Sequence, residues 1–254
     1  MRSGSTRAIR IPDSSGISCH KHFMNLVPER CAECAVRDSA LCASLADHEL
    51  EALNAIARRK VIPRGQVFVW EGDVSSICAN IVSGVMKVTS ATADGREQIV
   101  GLLFPGDFVG QPFRAETSLT VTALSEADLC IYPRRNFETV LDDHSKLERM
   151  LLQRTMSALD DARARMLSLG RKSAEERVAG FLLEMADRFA TDDDQGSFDL
   201  PLTRGQMADV LGLTIETVSR QLTNLKGAGL IALSTGRGVT VVNRAGLEAR
   251  AGAY

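Results

Sequence analysis

Between Cys31 and Cys42 the chain places three cysteines in twelve residues, Cys31-Ala32-Glu33-Cys34 followed by seven residues and then Cys42. Thiolates bunched this closely make either a metal site or a redox pair. Three of them leave a four-coordinate metal or a cluster one ligand short, so a fourth must come from elsewhere in the chain. Cys19, His20 and His22 lie just upstream, and Cys78 and Cys130 far downstream. A dithiol redox enzyme built on Cys31 and Cys34 is an alternative. Such pairs open a helix after a strand in a βαβ unit, and none surrounds this one. No Ser/His/Asp or paired-carboxylate constellation appears either, so the chain reads as a non-enzyme.

A second chemistry lies between Thr203 and Lys226. Thr203 with Gln206 starts a helix as a capping box, and Met207, Val210 and Leu211 face inward. Gly212 breaks that helix and allows a tight turn. Leu213 packs, and Thr214 caps a second helix. On the second helix Val218, Leu222 and Leu225 form a buried stripe, while Glu216, Ser219, Arg220 and Thr223 share another face. A guanidinium, a carboxylate and two hydroxyls on one face suit base-edge readout in a major groove. Thr217 sits beside them in the first turn. From Thr203 to Arg244 the cations Arg204, Arg220, Lys226, Arg237 and Arg244 face only Asp209 and Glu216. Two β-rich stretches, 229–233 and 239–242, flank Ser234-Thr235-Gly236-Arg237-Gly238, which makes a wing with Arg237 placed to contact phosphate. The bland alternative is a small helical core element with a Glu216–Arg220 surface pair.

These elements must be positioned by the rest of the 254-residue chain, long enough for two domains. A net charge of -2 gives no whole-chain case for nucleic acid, so that case is local. No apolar run approaches a membrane span, and Met1 to Ser18 has no apolar signal core and reads as a disordered tail. A reducing cytoplasm is expected, with the cysteines free or metal-bound. Residues 19–42 cannot build a core of their own, and a bound metal would order them. Asp47 opens a helix carrying Leu50, Leu53, Ile56 and Ala57. From Val61 to Tyr132 short strand-like runs alternate with Gly or Pro turns, which predicts an antiparallel sandwich or barrel. Cys78, in an apolar run, reads as a core residue.

Helix takes over near Phe137. Leu152, Leu159 and Met166 recur every seven residues, with Thr155, Ala162 and Leu169 three further on, a seam of about two and a half heptads. Thr155 and Ala162 at its middle bury little, so the helix is expected to dimerise weakly and switchably. An ordinary amphipathic helix packed on its own domain is the alternative. A further helix spans Ala174 to Phe189, ending at the acidic loop Asp192-Asp193-Asp194. His48 and His144 read as exposed helix-start residues.

With these parts assembled, the chain resembles the CRP/FNR superfamily of bacterial transcription regulators, and within it the FNR branch of oxygen-responsive iron–sulfur regulators. The likeness covers roughly residues 31–245. It is carried by the cysteine cluster, Leu41-Cys42, His48-Glu49-Leu50, Arg96-Glu97-Gln98-Ile99, Ala174-Glu175-Glu176-Arg177, Thr203-Arg204-Gly205 and Leu211-Gly212-Leu213-Thr214-Ile215-Glu216-Thr217-Val218-Ser219-Arg220. The resemblance implies an α+β fold: a jelly-roll-like antiparallel β-roll sensor domain, a long dimerisation helix and a C-terminal winged helix-turn-helix domain. The boundaries expected are 1–48, 49–141, 142–171 and 172–254. It also implies a fourth ligand on a late strand, here Cys130, so that Cys31, Cys34, Cys42 and Cys130 hold a [4Fe–4S] cluster. Strand alternation agrees, because Leu129 and Ile131 point to one face and Cys130 to the other. By the same resemblance a homodimer binds a TTGAT-N4-ATCAA inverted repeat under low oxygen, with RNA polymerase as a further partner, and oxygen destroys the cluster. A structural zinc on Cys31, Cys34 and Cys42, joined by His20, His22 or Cys130, is the competing chemistry. Other branches bind cyclic nucleotides through an Arg-Ser phosphate clamp, and Arg114 does not stand in that pairing.

Overall fold

The computed structural model describes residues 28–92, 94–95, 97–190 and 196–252. The expected tail, Cys19, His20, His22, Arg96 and the acidic loop lie outside the described residues. The chain enters through α1 (Glu29–Ala32), a 3-10 turn (Leu41–Ser44) and α2 (Asp47–Ile56). Glu49 fastens the start of α2 by accepting from the Ala46 amide at 2.8 Å. The cysteine-bearing segment has no core of its own, as expected, and borrows one. Leu41, Leu45, Leu50 and Leu53 pack with Phe137, Val140, Leu141 and Leu147 from further along the chain.

Eight strands follow: β1 (Arg58–Ile62), β2 (Val67–Val69), β3 (Ile77–Ser83), β4 (Met86–Ala91), β5 (Glu97–Leu103), β6 (Phe108–Val109), β7 (Thr120–Ala123) and β8 (Ala127–Pro133). They form two four-stranded antiparallel sheets, ordered β1-β8-β3-β6 and β2-β7-β4-β5. Ile62, Ala79, Ile81, Met86, Val121 and Leu129 fill the space between them. The sequence reading missed β1 and β6. β1 begins Arg-Arg-Lys and is exposed at four of its five positions, a charged sheet edge without apolar alternation. β6 has only two residues. Gly84 turns β3 into β4 with φ +85°, and a Cβ there would stand 2.2 Å from the Glu126 carbonyl.

The helical part comprises α3 (Arg134–Asp143), the 27-residue α4 (Ser145–Arg171) and α5 (Ala174–Phe189). Ser173 and Glu176 form a reciprocal capping box that starts α5. Then come β9 (Ser197–Asp199), α6 (Arg204–Leu211), α7 (Ile215–Gly227), β10 (Ile231–Leu233), β11 (Gly238–Val241) and α8 (Arg244–Ala251). The wing is a three-stranded sheet, β10-β11-β9, rather than the two-stranded hairpin expected. One apolar core unites this domain with the β-roll. Val85, Ile99, Leu102, Phe104 and Leu124 of the roll pack among Phe181, Leu182, Met207, Leu211 and Leu222. Phe104 lies 5.8 Å from the Phe189 ring and carries the Arg188 guanidinium 4.1 Å above its face. The expected boundaries after residues 48 and 141 both cut helices, α2 and α3, because those helices pack together into one core. Among the described residues no helix is long and apolar enough to cross a membrane.

Candidate cysteine pocket and recognition helix

Cys31 lies in α1, Cys34 in the turn after it, Cys42 in the 3-10 turn and Cys130 in the middle of β8. All four line one pocket of about 500 Å³, counting its space open to solvent. Alternation along β8 sends Ala127, Leu129 and Ile131 into the roll. It turns Cys130 and Tyr132 toward the N-terminal segment instead. Val36, Ala40 and Val82 close the apolar wall around Cys34, Cys42 and Cys130. Gly106, at φ +92°, lets this segment lie close, since a Cβ there would meet Ser39 Oγ at 2.9 Å.

Burial is the main influence on the thiols. It pushes Cys31 and Cys130 up, and Cys42 up to about 11, and the neighbouring sulfurs add to the effect. Free, these groups hold their protons at neutral pH; a bound metal centre replaces them. Three arginines rim the pocket and oppose the rise. Arg37 donates to the carbonyls of Cys42 at 2.9 Å and Leu45 at 3.2 Å and pairs with Asp47. Arg30 donates to Asn54 Oδ1 at 2.8 Å, and Arg59 pairs with Asp128 beside Cys130. Four thiols in an apolar, cation-rimmed pocket suit an anionic iron–sulfur group. Thiolates around one zinc ion, at about 2.3 Å each, would stand only about 3.8 Å apart. Among the described residues no three His, Cys, Asp or Glu side chains converge in that way. Cys78 is fully buried, with its thiol pushed up to about 12 by burial, and packs as core. His48 is exposed as expected. His144 is not: it is half-buried, 4.0 Å from Glu49.

The pocket segment touches α4. Arg154 of α4 donates to the Ser39 carbonyl. Beyond that end the helix is bare, and of its residues only Leu147 is buried. Leu152, Leu159, Met166 and Leu169 are exposed, with Thr155 and Ala162 between them. Exposed Met156 and Leu167 widen the apolar surface beyond the seam read from sequence. Leu169 is the least exposed of the six apolar residues and approaches the turn at Gly212. Arg177 ties the far end of α4 to the helix-turn-helix. Its guanidinium donates to the carbonyls of Leu169 and Lys172 and to that of Leu211, all within 3.0 Å.

The helix-turn-helix forms by the local rules its residues suggest. Thr203 Oγ accepts from the Gln206 amide, and Gln206 Oε1 accepts from that of Thr203. Gly212 ends α6 in the left-handed conformation, φ 60°. Thr214 Oγ accepts from the Thr217 amide at 3.2 Å and starts α7. Val218, Leu222 and Leu225 are buried. Glu216, Arg220 and Thr223 are exposed and Ser219 half-exposed on the opposite side. The Glu216 carboxyl is held below the usual range by its own backbone amide and the Thr214 hydroxyl, so it stays ionised at the helix start. No Glu216–Arg220 ion pair forms among the described residues, and Arg220 is left facing solvent. Thr203, Thr214 and Thr217 have their hydroxyls engaged in the caps. Arg237 turns back from the wing tip to donate to the Pro201 carbonyl at 3.0 Å. The sequence reading counted Arg204 only among the local cations, without its approach of 3.4 Å to Ser219 Oγ, quoted Arg177 only within a signature, and did not single out Arg154 or the arginine rim. Their partners are carbonyls and side chains in other elements, which spacing cannot reveal.

Residues 176–250 match the family described as Crp-like helix-turn-helix domain, and residues 59–144 that described as Cyclic nucleotide-binding domain. The chain is 41% identical to the Transcriptional activator protein FnrL of Cereibacter sphaeroides, over 91% of this chain and 95% of that one. It is 34% identical to the Fumarate and nitrate reduction regulatory protein of Salmonella typhimurium, over 97% and 96% of the two chains. The structure of FixK2 from Bradyrhizobium japonicum superposes with a TM-score of 0.73 at 32% identity, covering 78% of this chain and 99% of that one. A winged helix-turn-helix with a solvent-facing recognition surface binds DNA. The chain belongs to the CRP/FNR family of transcription regulators.

Proposed function

We propose that the chain is an oxygen-sensing regulator whose DNA binding is gated by a [4Fe–4S] cluster on Cys31, Cys34, Cys42 and Cys130. The observation that carries this is the convergence of four cysteines, from segments far apart in sequence, on one apolar, cation-rimmed pocket. The cluster supplies, when bound, an oxygen-labile tie between the N-terminal segment and β8. The name of one relative, a fumarate and nitrate reduction regulator, is in keeping with control by low oxygen.

The chain's own residues translate that tie. Arg37 and Arg59 offset negative charge gathered at the pocket, and Arg37 also holds the Cys42 turn against Leu45. With the segment held, Arg154 grips its Ser39 carbonyl, so the near end of α4 is fixed in place. The bare seam from Leu152 to Leu169 then meets the same seam of a second copy, in a homodimer of the kind this family forms. Arg177 passes the helix position to the turn before α7. Two α7 helices set about one DNA turn apart read a TTGAT-N4-ATCAA repeat. Arg220 pairs with guanine, Glu216 accepts from cytosine, and Ser219 and Thr223 contact neighbouring positions. Arg237 supports the wing through Pro201. RNA polymerase is the further partner, and the cytoplasm the site of action.

Protein purified without oxygen should be brown and contain about four iron and four sulfide per chain. It should lose both in air and bind the repeat as a dimer only when loaded. Cys130→Ser should bring iron and sulfide to background and leave a folded monomer that binds the repeat weakly. Colourless protein carrying one zinc per chain, or a Cys130→Ser protein that binds as tightly as the parent, would overturn the reading.

A further inference from the structure

Four polar side chains lie on the face of α7 turned away from its core, and three of them have a fixed hydrogen-bonding sense. Arg220 can only donate, and the ionised Glu216 can only accept. Thr223 commits its proton to the Ser219 carbonyl at 2.9 Å, the usual bond from a helical hydroxyl to the carbonyl four residues back, and so offers lone pairs. Ser219 is the exception. It makes no such bond into its own helix, and its proton has no acceptor among the described residues. A free serine hydroxyl turns to donate or to accept, so by itself it does not tell one base edge from another.

A residue of the preceding helix removes that freedom. Arg204 is the first residue of α6, whose start is fixed by the Thr203–Gln206 capping box. Its side chain crosses to α7, where Nη1 donates to Ser219 Oγ at 3.4 Å. Arg204 forms no ion pair among the described residues, so no carboxylate draws the guanidinium away. With a cation on its oxygen, the hydroxyl directs its proton elsewhere and donates it more strongly. A second donor approaching the same oxygen meets the guanidinium already there.

We infer that Arg204 makes Ser219 a hydrogen-bond donor toward DNA and thereby selects thymine over cytosine at one position of each half-site. In the major groove thymine presents its O4 acceptor where cytosine presents its N4 amino donor. A donating Ser219 satisfies the first and sets proton against proton at the second. The repeat proposed above carries thymines on both sides of its guanine, within reach of the helix face that holds Arg220. Arg204 is a positioning residue here, since it acts through Ser219. The inference rests on the reading of α7 as the base-reading helix and is independent of what fills the cysteine pocket.

The test uses the full chain purified without oxygen. Competition binding compares the repeat with copies in which each thymine in turn is replaced by cytosine, its partner base changed to match, in both half-sites. Ser219→Ala should cancel the preference for thymine at one position, which identifies the base Ser219 reads. Arg204→Met keeps the aliphatic stem and removes the donors; it should lower that same preference about 5-fold and leave the preference for guanine unchanged. In protein already carrying Ser219→Ala, Arg204→Met should not change the preference further. A loss equal on all sequences, with a salt slope smaller by about one, would make Arg204 a phosphate contact and overturn the inference. So would Arg204→Met protein with the parent's preference, or Ser219→Ala protein that still prefers thymine at every position. Parent protein that binds the repeat no better than unrelated DNA would overturn the base-reading itself, and this inference with it. Should Arg204→Met fail to fold, the shorter Arg204→Gln decides by the same ratio: a lowered thymine preference supports the inference and an unchanged one overturns it.

Discussion

At the cysteine pocket the functional groups come from α1, two turns and β8, and they meet only when the roll and the N-terminal segment have packed together. At the recognition helix every group lies within one helix, started by Thr214 three residues before its first partner amide. The pocket is apolar and pushes its thiols toward the neutral form. The helix face is wet and its carboxyl is held ionised. On the function proposed above, the difference separates sensing from reading. A reading surface works best when it is always formed, because base contacts add little once they must also order the chain. A sensing site works best when its parts are far apart in sequence, because losing one bond then frees a long segment.

That contrast can be attacked from the reading side first. Arg220→Ala should weaken binding to the repeat by about 1–3 kcal/mol, roughly 5- to 150-fold, and relax preference at one base pair of each half-site. Iron content and dimerisation should match the parent. A matching loss on unrelated DNA would make Arg220 a phosphate contact and blur the distinction. Next comes the link between the two regions. Arg154→Ala should leave iron and sulfide intact but weaken dimerisation by about 1 kcal/mol, seen by sedentation equilibrium under anaerobic conditions. An unchanged dimer constant would mean the pocket reaches α4 by another route.

A separate test concerns Cys78, which stands opposite Tyr132 across the β8–β3 ladder. Its thiol is pushed from about 9 to about 12 by burial. A group whose folded pKa is raised gives its full stabilisation below the unfolded value and loses it as pH climbs through the folded one. The apoprotein should therefore lose stability from about pH 9 toward pH 12, and Cys78→Ala should flatten part of that decline. Urea midpoints measured at about pH 8 and about pH 11 would show it.

The reading helix was the more legible of the two regions. Thr203, Gln206, Gly212 and Thr214 act within a few residues of themselves, and the structure uses each as its type suggests. Leu129, Cys130 and Ile131 were legible for the same reason, since alternation is local. Arg237 was not. Its position at a hairpin is readable, but the Pro201 carbonyl that turns it inward lies 36 residues away. His144 was misplaced because Glu49, its neighbour, belongs to another helix. β1, β6 and β9 were missed because their pairing partners, rather than their own residues, make them strands. The Asn80–Tyr132 contact spans 52 residues and follows from sheet register alone.

The place of Cys130 in its sheet also orders events in time. β8 lies between β1 and β3, so its middle residue acquires a fixed position only after both neighbours have been made and paired. Cys31, Cys34 and Cys42 leave the ribosome well before it, at a synthesis rate of roughly 5–20 residues per second. For some seconds the nascent chain therefore offers three thiols without a fourth. On the function proposed above, a group that needs all four would be completed only on a folded roll, and the newborn protein would stay silent until that roll had formed.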